Sequence, residues 1–595
     1  MKLRLQGAAG VARQSVFMRL RGAVDAARRS PLWWFYVAMI LLRLGAVPWG
    51  LPASDGWDND GVAPRDFLPG LLQTFTPGEY YTYPPLHALL LTLVSLPVLI
   101  VGALTAPSFA PLALRDHFLH PALMTPIAVL ARLVSVAFAC AIMHAICCLA
   151  DELFGGESRE HSLRVRRWTA AALLCNVSLG YYSATSNLDV PSLAWTCLAM
   201  LALTRMLKAQ APTSLWPFVA FTAFAICTKD QAYASFALSV PIVLLAKIAS
   251  TATPLRRAWL LQGLKAGASI VILVLCIDGA IFNPRGFLAR LRFLTGPASK
   301  EHGYYAKTLA GTYWCLHDVA ANWRNYYPYA LAPLLLVGLV LLAGRARKDR
   351  ASLALAYLPL LAALSFTLAF NLPAGRTEQR FVLPQSVFLT VYLGIAMAWL
   401  SQKAIARYTL FAGLAYAAWG VVGLLASLWN DPRYAAEAWM RAHFAPGSSV
   451  ETYGESVYLP RFRSDIALQR VAPTPSTRRN PVAHAVELQA NISEALMRQP
   501  EFIVLTQVWA ARYLGEAPPN KRVWDLPRTN PSHYNAVFED TATRAFVTAL
   551  ERGTAQYARV AAFDDEPRLW PKLQMHASTS CDCGIWIYQR KDTIK

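Results

Sequence analysis

Residues 381–400 read FVLPQSVFLTVYLGIAMAWL, twenty consecutive positions without a charged side chain. At 1.5 Å per residue such a helix covers about 30 Å, the thickness of a bilayer's hydrocarbon core. Runs of the same kind recur on both sides of it. Over the chain of 595 residues, 55% are hydrophobic and 15% charged, far more apolar surface than a soluble core of that length uses. The expected fold is an all-α polytopic membrane bundle. Its spans fall at 32–51, 122–150, 168–186, 190–207, 214–230, 232–249, 259–281, 328–344, 351–371, 381–400 and 408–428, eleven in all.

Basic residues orient the bundle. A leader, 1–31, carries Lys2, Arg4, Arg13, Arg19, Arg21, Arg28 and Arg29 against Asp25 alone, and Lys and Arg collect in cytoplasmic segments. With the leader inside, Arg164, Arg166 and Arg167 also fall inside, as do Arg205 with Lys208, Arg256 with Arg257, Arg345 with Arg350, and Lys403 with Arg407. Topology thus explains the net charge of +20. Because these cations lie between apolar runs rather than on one polar face, nucleic acid is not an expected partner. The threading requires 84–105 to lie in the interface, re-enter, or pair with another helix, since one more crossing would invert every later loop. Pro84, Pro85 and Pro97 favour a broken segment there. No cleavable signal peptide is evident. The C-terminal Lys591-Asp-Thr-Ile-Lys595 shows no retention signal, which points to a bacterial plasma (inner) membrane.

The transmembrane domain is expected over 32–429, with outer loops at 52–121 and 283–327, and the tail 430–595 on the extracytoplasmic side. Within the tail, strand-like stretches at 448–453, 501–506 and 585–588 alternate with helical ones, which predicts a soluble α/β domain. Seven of the ten cysteines lie in apolar runs and read as small hydrophobes. Cys581 and Cys583 form a lone C-x-C without the second ligand pair of a structural zinc site.

Chemistry concentrates on the outer face. The first outer loop reads Asp55-Gly-Trp-Asp58-Asn-Asp60-Gly-Val-Ala-Pro-Arg65-Asp66, and its carboxylates suit a general base or a metal ligand, or else a solvated acidic loop. Asn187-Leu-Asp189-Val-Pro191 puts Asp189 at the mouth between two spans, as a reactive carboxylate or a helix cap. The loop 283–327 holds Arg285, Arg290, Arg292, Lys300, Lys307 and Arg324 against Glu301 and Asp318, positive charge on the disfavoured side, which a phosphate would offset. Arg132, Lys229, Arg376 and Arg380 converge on the same face as candidate phosphate-binding groups, though any one alone reads as an interfacial anchor. Tyr304, Tyr305, Tyr313, Trp314, Trp323, Tyr326 and Tyr327 read as an aromatic belt or a sugar-stacking surface. His87, His302 and His317 lack close ligand spacing; no metal site is assigned, and a divalent metal stays open.

Across residues 30–430 the chain resembles the GT-C superfamily of membrane glycosyltransferases, in its protein O-mannosyltransferase and aminoarabinose transferase branch. The resemblance rests on the acidic first outer loop, Tyr83-Pro-Pro-Leu86, Arg132-Leu-Val-Ser135, Asn187-Leu-Asp189, Thr228-Lys229 and Arg380-Phe-Val-Leu-Pro384, taken in that order. It implies a GT-C-like bundle and a sugar donor on a polyprenyl phosphate. It further implies an acceptor hydroxyl on a lipid, glycan or protein, and an acidic first-loop residue acting at that acceptor. Carried over, Asp58 would be the base, with Asp60 the close second choice; the family often has Asp-Glu where this chain has Asp-Asn-Asp. Attack at the anomeric carbon would invert it, and the cations would stabilise the leaving phosphate. The rival reading is a secondary transporter or lipid flippase, but no half-to-half repeat is present and the candidate charges gather at one face rather than at mid-depth.

Overall fold

The computed structural model describes residues 32–53, 57–58, 61, 64–79, 83–156, 158–211, 213–296, 305–346, 349–454, 456–473, 485–514, 540–564 and 584–594. The basic leader 1–31, Asp60, Lys300, Glu301, His302, Tyr304, Cys581 and Cys583 lie outside the described residues.

The membrane part is helical: α1 (Trp33–Leu44), α2 (Pro64–Phe75), α3 (Pro85–Thr105), α4 (Pro121–Phe154), α5 (Arg159–Leu174), α6 (Val177–Tyr182), α7 (Asp189–Lys208), α8 (Trp216–Thr228), α9 (Ser239–Ser250), α10 (Thr253–Ile277), α11 (Pro333–Ala346), α12 (Arg350–Phe366), α13 (Gln379–Leu400) and α14 (Ala404–Trp429). Among the described residues, eight helices are long and apolar enough to cross a bilayer, or nine if the bent pair at 350–374 forms one span. Two shorter apolar helices, α1 and α8, fall on further expected runs. The run 168–186 is divided. The Asn176 side chain accepts from the Leu179 amide at 2.9 Å to start α6, and donates to Ser386 Oγ at 3.1 Å.

Helix α13 is the hub, with 89% of its apolar window buried, whereas only 6% of the 255–277 window is buried, leaving α10 to face lipid. Lipid tails are as apolar as leucine, so helices associate in a bilayer through close fit rather than through the hydrophobic effect. Two glycines provide that fit. A β-carbon on Gly394 of α13 would stand 2.1 Å from Thr169 Oγ1 of α5, and one on Gly338 of α11 would stand 2.0 Å from the Tyr392 carbonyl oxygen of α13.

Segment 84–105 differs from the broken form its prolines suggest. Helix α3 runs unbroken through Pro97, while Pro84 and Pro85 occupy its N-cap and first turn, where a missing N–H is harmless. It is one of the eight helices long and apolar enough to cross a bilayer, although it was not among the eleven expected spans, and it packs on α4. The His87 ring lies 6.3 Å from Phe138, tilted by 55°, Leu91 shares a cluster with Ile127 and Ala131, and Gly102 abuts Leu123. Advancing along α3 therefore means moving back along α4, and the two pack antiparallel over the first half of α4.

The tail begins with α15 (Pro432–His443) and folds around a six-stranded sheet: β1 (Ser449–Thr452), β2 (Ala467–Ala472), β3 (Val486–Gln489), β4 (Phe502–Thr506), β5 (Tyr557–Phe563) and β6 (Ile585–Arg590), in the order β3-β2-β1-β4-β6-β5. The first four pair in parallel, with Val450 opposite Leu468 on one side and Phe502 on the other; β6 is antiparallel to β4 and β5. Along β4, Phe502 and Val504 join the α15 side chains Ala436 and Met440. Ile503 and Leu505 join Phe546, Val547 and Leu550 on the opposite face. Burial on both faces makes this strand one continuous apolar run, legible in the sequence. Strands β2, β3 and β5 were not expected; β2 carries a buried Arg470 that grips Glu487 of β3 at 2.6 Å, which breaks the apolar pattern.

Candidate active site

The chain leaves α1 through the turn at 45–50, and Asp58 lies in the bundle, 7% exposed, where Tyr181 of α6 donates to its Oδ1 at 3.4 Å. Beyond it, Gly61 forms an isolated antiparallel bridge with Asn187. Glycine is needed there because a β-carbon would lie 2.9 Å from Asp58 Oδ2 and 3.0 Å from Ser186 Oγ. The acidic loop and the Asn187-Leu-Asp189 turn, far apart in sequence, are thus joined backbone to backbone.

Arg132 stands beside this loop. Its buried guanidinium donates to the carbonyls of Val47 and of Trp49 (2.7 Å), and its charge acts on Asp58.

The Asn187 side chain accepts from the Asp189 amide at 2.7 Å, a turn bond just ahead of α7 that leaves the Asp189 carboxylate for another partner. That partner is Lys229, whose Nζ lies 2.5 Å from Asp189 Oδ1 with both side chains largely buried. Among the described residues, Oδ2 of Asp189 has no hydrogen-bond partner. Lys229 has extended backbone at the end of α8, which turns its side chain out of the helix toward Phe381 of α13. Three cations surround that one ring: Lys229 Nζ at 5.2 Å from its centroid, and the guanidinium carbons of Arg376 and Arg380 each at 4.5 Å. Glu378 pairs with Arg376 at 2.5 Å, so among the described residues three positive charges meet two carboxylates, Asp189 and Glu378.

The turn that delivers both arginines is held from within. Helix α12 continues through a π-helical turn at Thr367–Asn371, and Gly375 takes a left-handed conformation (φ 61°). The Asn371 side chain donates to the carbonyls of Arg376 (2.9 Å) and Phe381 (2.8 Å) while accepting from Gln385 (2.7 Å). Asn371 and Gln385 are polar residues inside apolar runs, a signal that sequence reading could have weighed.

Residues 305–327 cover this turn. Tyr305 bonds both Asp318 (2.7 Å) and Thr377 (2.6 Å), Asn322 donates to the Thr377 carbonyl (2.9 Å), and Lys307 donates to the Pro373 carbonyl (3.0 Å). Burial and the neighbouring Asp318 push the Tyr305 hydroxyl well above its ordinary pKa, so it stays protonated. For Arg290 the offsetting anion is a protein carboxylate, Asp230. Trp323, Tyr326 and Tyr327 are buried in the bundle rather than set in a belt, with the Tyr327 hydroxyl 2.9 Å from Thr390.

Among the described residues no three His, Cys, Asp or Glu side chains gather as a metal site. His87 is buried beside Phe138, and His317 bonds Asp318 at 2.9 Å. Residues that the sequence reading missed include Tyr181, Phe381 and Trp57, the last lying directly before Asp58 and covered by the tail.

No family model matches this sequence, and no curated protein matches it. Among solved structures the chain is similar to ArnT from Cupriavidus metallidurans bound to undecaprenyl phosphate, at 15% identity and a TM-score of 0.43, covering 81% of this chain and 93% of that one. It is also similar to an Archaeoglobus fulgidus oligosaccharyltransferase in complex with zinc and sulfate, at 13% identity and a TM-score of 0.41, covering 93% and 88%.

Proposed function

We propose that the protein is a membrane glycosyltransferase that moves a sugar from a polyprenyl-phosphate donor to an acceptor hydroxyl on the extracytoplasmic face of a bacterial plasma membrane. One observation carries the reading: a buried first-loop carboxylate, Asp58, is bridged through Gly61 and Asn187 to a turn whose Asp189 meets a three-cation cluster around Phe381. A base beside a desolvated positive cluster is what displacement of a phosphate by a hydroxyl requires. The order of motifs that resembles the GT-C superfamily supplies the lipid-linked class of donor.

In this mechanism Asp58 takes the proton of the acceptor hydroxyl, whose oxygen attacks the anomeric carbon. The bond from that carbon to the phosphate oxygen breaks, its electron pair leaves with the lipid phosphate, and the anomeric carbon inverts. Lys229, Arg376 and Arg380 meet the charge that gathers on the phosphate, and Asp189 holds Lys229 in place. Arg132, bonded to two backbone carbonyls, serves Asp58 and its loop more than the phosphate. Asp60 is the second choice for the base.

The test is sugar release from a panel of radiolabelled polyprenyl-phosphate sugars, mannose-like hexoses and aminoarabinose included, by purified protein in lipid. Crude membrane extract supplies lipid, glycan and protein acceptors. Turnover that falls about 10²–10⁴-fold in Asp58→Asn or in Asp60→Asn, with folded protein unchanged, identifies the base. No turnover with any donor refutes the proposal and returns the transporter or flippase reading.

A further inference from the structure

We propose that the soluble tail takes part in the reaction, through Arg433 and Arg461 as positioning residues: they clamp Trp57 and thereby fix its neighbour Asp58. The inference rests on the proposed role of Asp58 and deepens it.

Trp57 is 3% exposed, and its cover comes from the tail. The Arg433 guanidinium carbon lies 4.1 Å from its ring centroid, the Tyr434 ring 4.8 Å and the Arg461 guanidinium carbon 5.0 Å. Both arginines are held rigidly. Arg433 is fully buried, with Nε and Nη2 on Asp431 at 2.8 and 2.6 Å and Nη1 on the Val457 carbonyl at 2.8 Å. Arg461 meets Glu437 through Nε and Nη2 at 2.7 and 2.6 Å, and its Nη1 donates to the Pro52 carbonyl at 3.1 Å.

The same tail elements take hold of the start of the loop. Asp431 accepts from the Trp49 indole at 2.9 Å, and the Tyr434 hydroxyl accepts from the Gly50 amide at 2.9 Å. Gly50, at φ +70°, folds the loop back so closely that a β-carbon would lie 3.0 Å from the Trp57 ring. Trp49, Gly50, Pro52 and Trp57 thus all contact the tail within nine positions of one another, and Asp58 follows directly.

A buried ion pair such as Asp431–Arg433 is weak evidence for stability, because desolvating two charges offsets most of their attraction. What the pair does supply is orientation: it presents the face of the guanidinium to an aromatic ring, a geometry that is attractive only when the cation is kept in place. On the other side Asp58 meets Tyr181 and the field of Arg132, whose own bonds go to Val47 and Trp49. The carboxylate is therefore set between a bundle wall and a tail wall, and among the described residues Trp57 is its direct chain neighbour on the tail side. A general base misplaced by about 1 Å loses on the order of 10²-fold in rate.

The experiment compares Trp57→Leu, Trp57→Phe, Arg461→Gln and the double variant Trp57→Leu/Arg461→Gln in full-length protein in lipid, with Val547→Ala, in the tail core away from the loop, as a stability control. Sugar release and hydrogen exchange at the Gly50 and Gly61 amides are read on each. The expected result is a kcat about 10- to 100-fold lower in Trp57→Leu and Arg461→Gln, with donor KM within about twofold of wild type. Trp57→Phe recovers most of it, the double variant loses no more than the worse single one, and exchange at both amides rises by about tenfold in the impaired variants. Val547→Ala lowers unfolding temperature without changing kcat. Losses in kcat that track unfolding temperature across all variants, the control included, overturn the clamp, as does unchanged exchange in Trp57→Leu and Arg461→Gln. If wild type transfers no sugar, the enzymatic reading has failed, and the exchange data still decide whether the tail holds the loop.

Discussion

Replacing Lys229 by Met separates a structural partner from a catalytic cation. The substitution keeps most of the side-chain volume and removes the charge that lies 2.5 Å from Asp189, in a pair whose side chains are only 12% and 10% exposed. Breaking a buried pair on one side destabilises by about 3–5 kcal/mol, because the remaining charge is left desolvated. Among the described residues that charge also loses its one side-chain partner, since Asp189 Oδ2 has none. A second loss falls on the reaction: one of three cations around Phe381 disappears, and a single preorganised charge-stabilising group is worth about 10²–10³ in kcat. The two losses part company in the double variant Lys229→Met/Asp189→Asn, where no charge is left buried alone. Unfolding temperature in lipid or detergent should then recover most of the way, while sugar release stays 10²–10³-fold down. Turnover that returns together with stability would show that Lys229 only holds Asp189, and the phosphate assignment would fall.

Arg380→Gln should lower turnover by about 10²-fold, and Arg132→Gln should lower turnover and unfolding temperature together, since Arg132 also ties down the carbonyls of Val47 and Trp49; sugar release and thermal unfolding measured on both variants check this. Gly338→Leu should reduce folded protein strongly, because its first side-chain carbon would already lie 2.0 Å from the Tyr392 carbonyl, while Gly344→Leu, with open space around it, should be tolerated; size-exclusion yield in detergent decides this. In the tail, burial raises the Tyr557 hydroxyl to about 12. Its stabilising effect is whole below the ordinary value near 10 and is lost as pH rises through about 12, so Tyr557→Phe should flatten the fall of the tail's unfolding temperature across that interval.

What the sequence made legible was whatever a single segment encodes. The run 381–400 announced a membrane helix from composition alone, and β4 announced a buried strand from four consecutive apolar residues, Phe502 to Leu505, with Thr506 buried beside them. Asp58, Asp189, Lys229, Arg376 and Arg380 stood out because charge near apolar runs is costly and usually has a purpose. What stayed hidden depends on contact between distant segments. Nothing near Phe381 tells that three cations will surround it, and nothing near Trp57 tells that residues nearly 400 positions later will cover it. Arg132 was grouped with the phosphate cations because it shares their face, but its company was decided by the carbonyls of a turn, which no side-chain pattern records. The unbroken α3 has a similar cause: a proline signals a lost hydrogen bond, and packing against α4 decides whether the helix bends.

Helices α10 and α13 each carry a long apolar stretch, yet one presents itself to fluid lipid and the other to fixed neighbours, with 6% and 89% of those stretches buried. Lipid has no shape to match, so the lipid-facing positions of α10 need only be greasy, and Leu, Ile, Val and Phe should trade places there at little harm. Helix α13 answers to the outline of every residue around it. In a deep mutational scan the first would read as a composition and the second as a spelling, and drift between species should accumulate on the one while the other holds still.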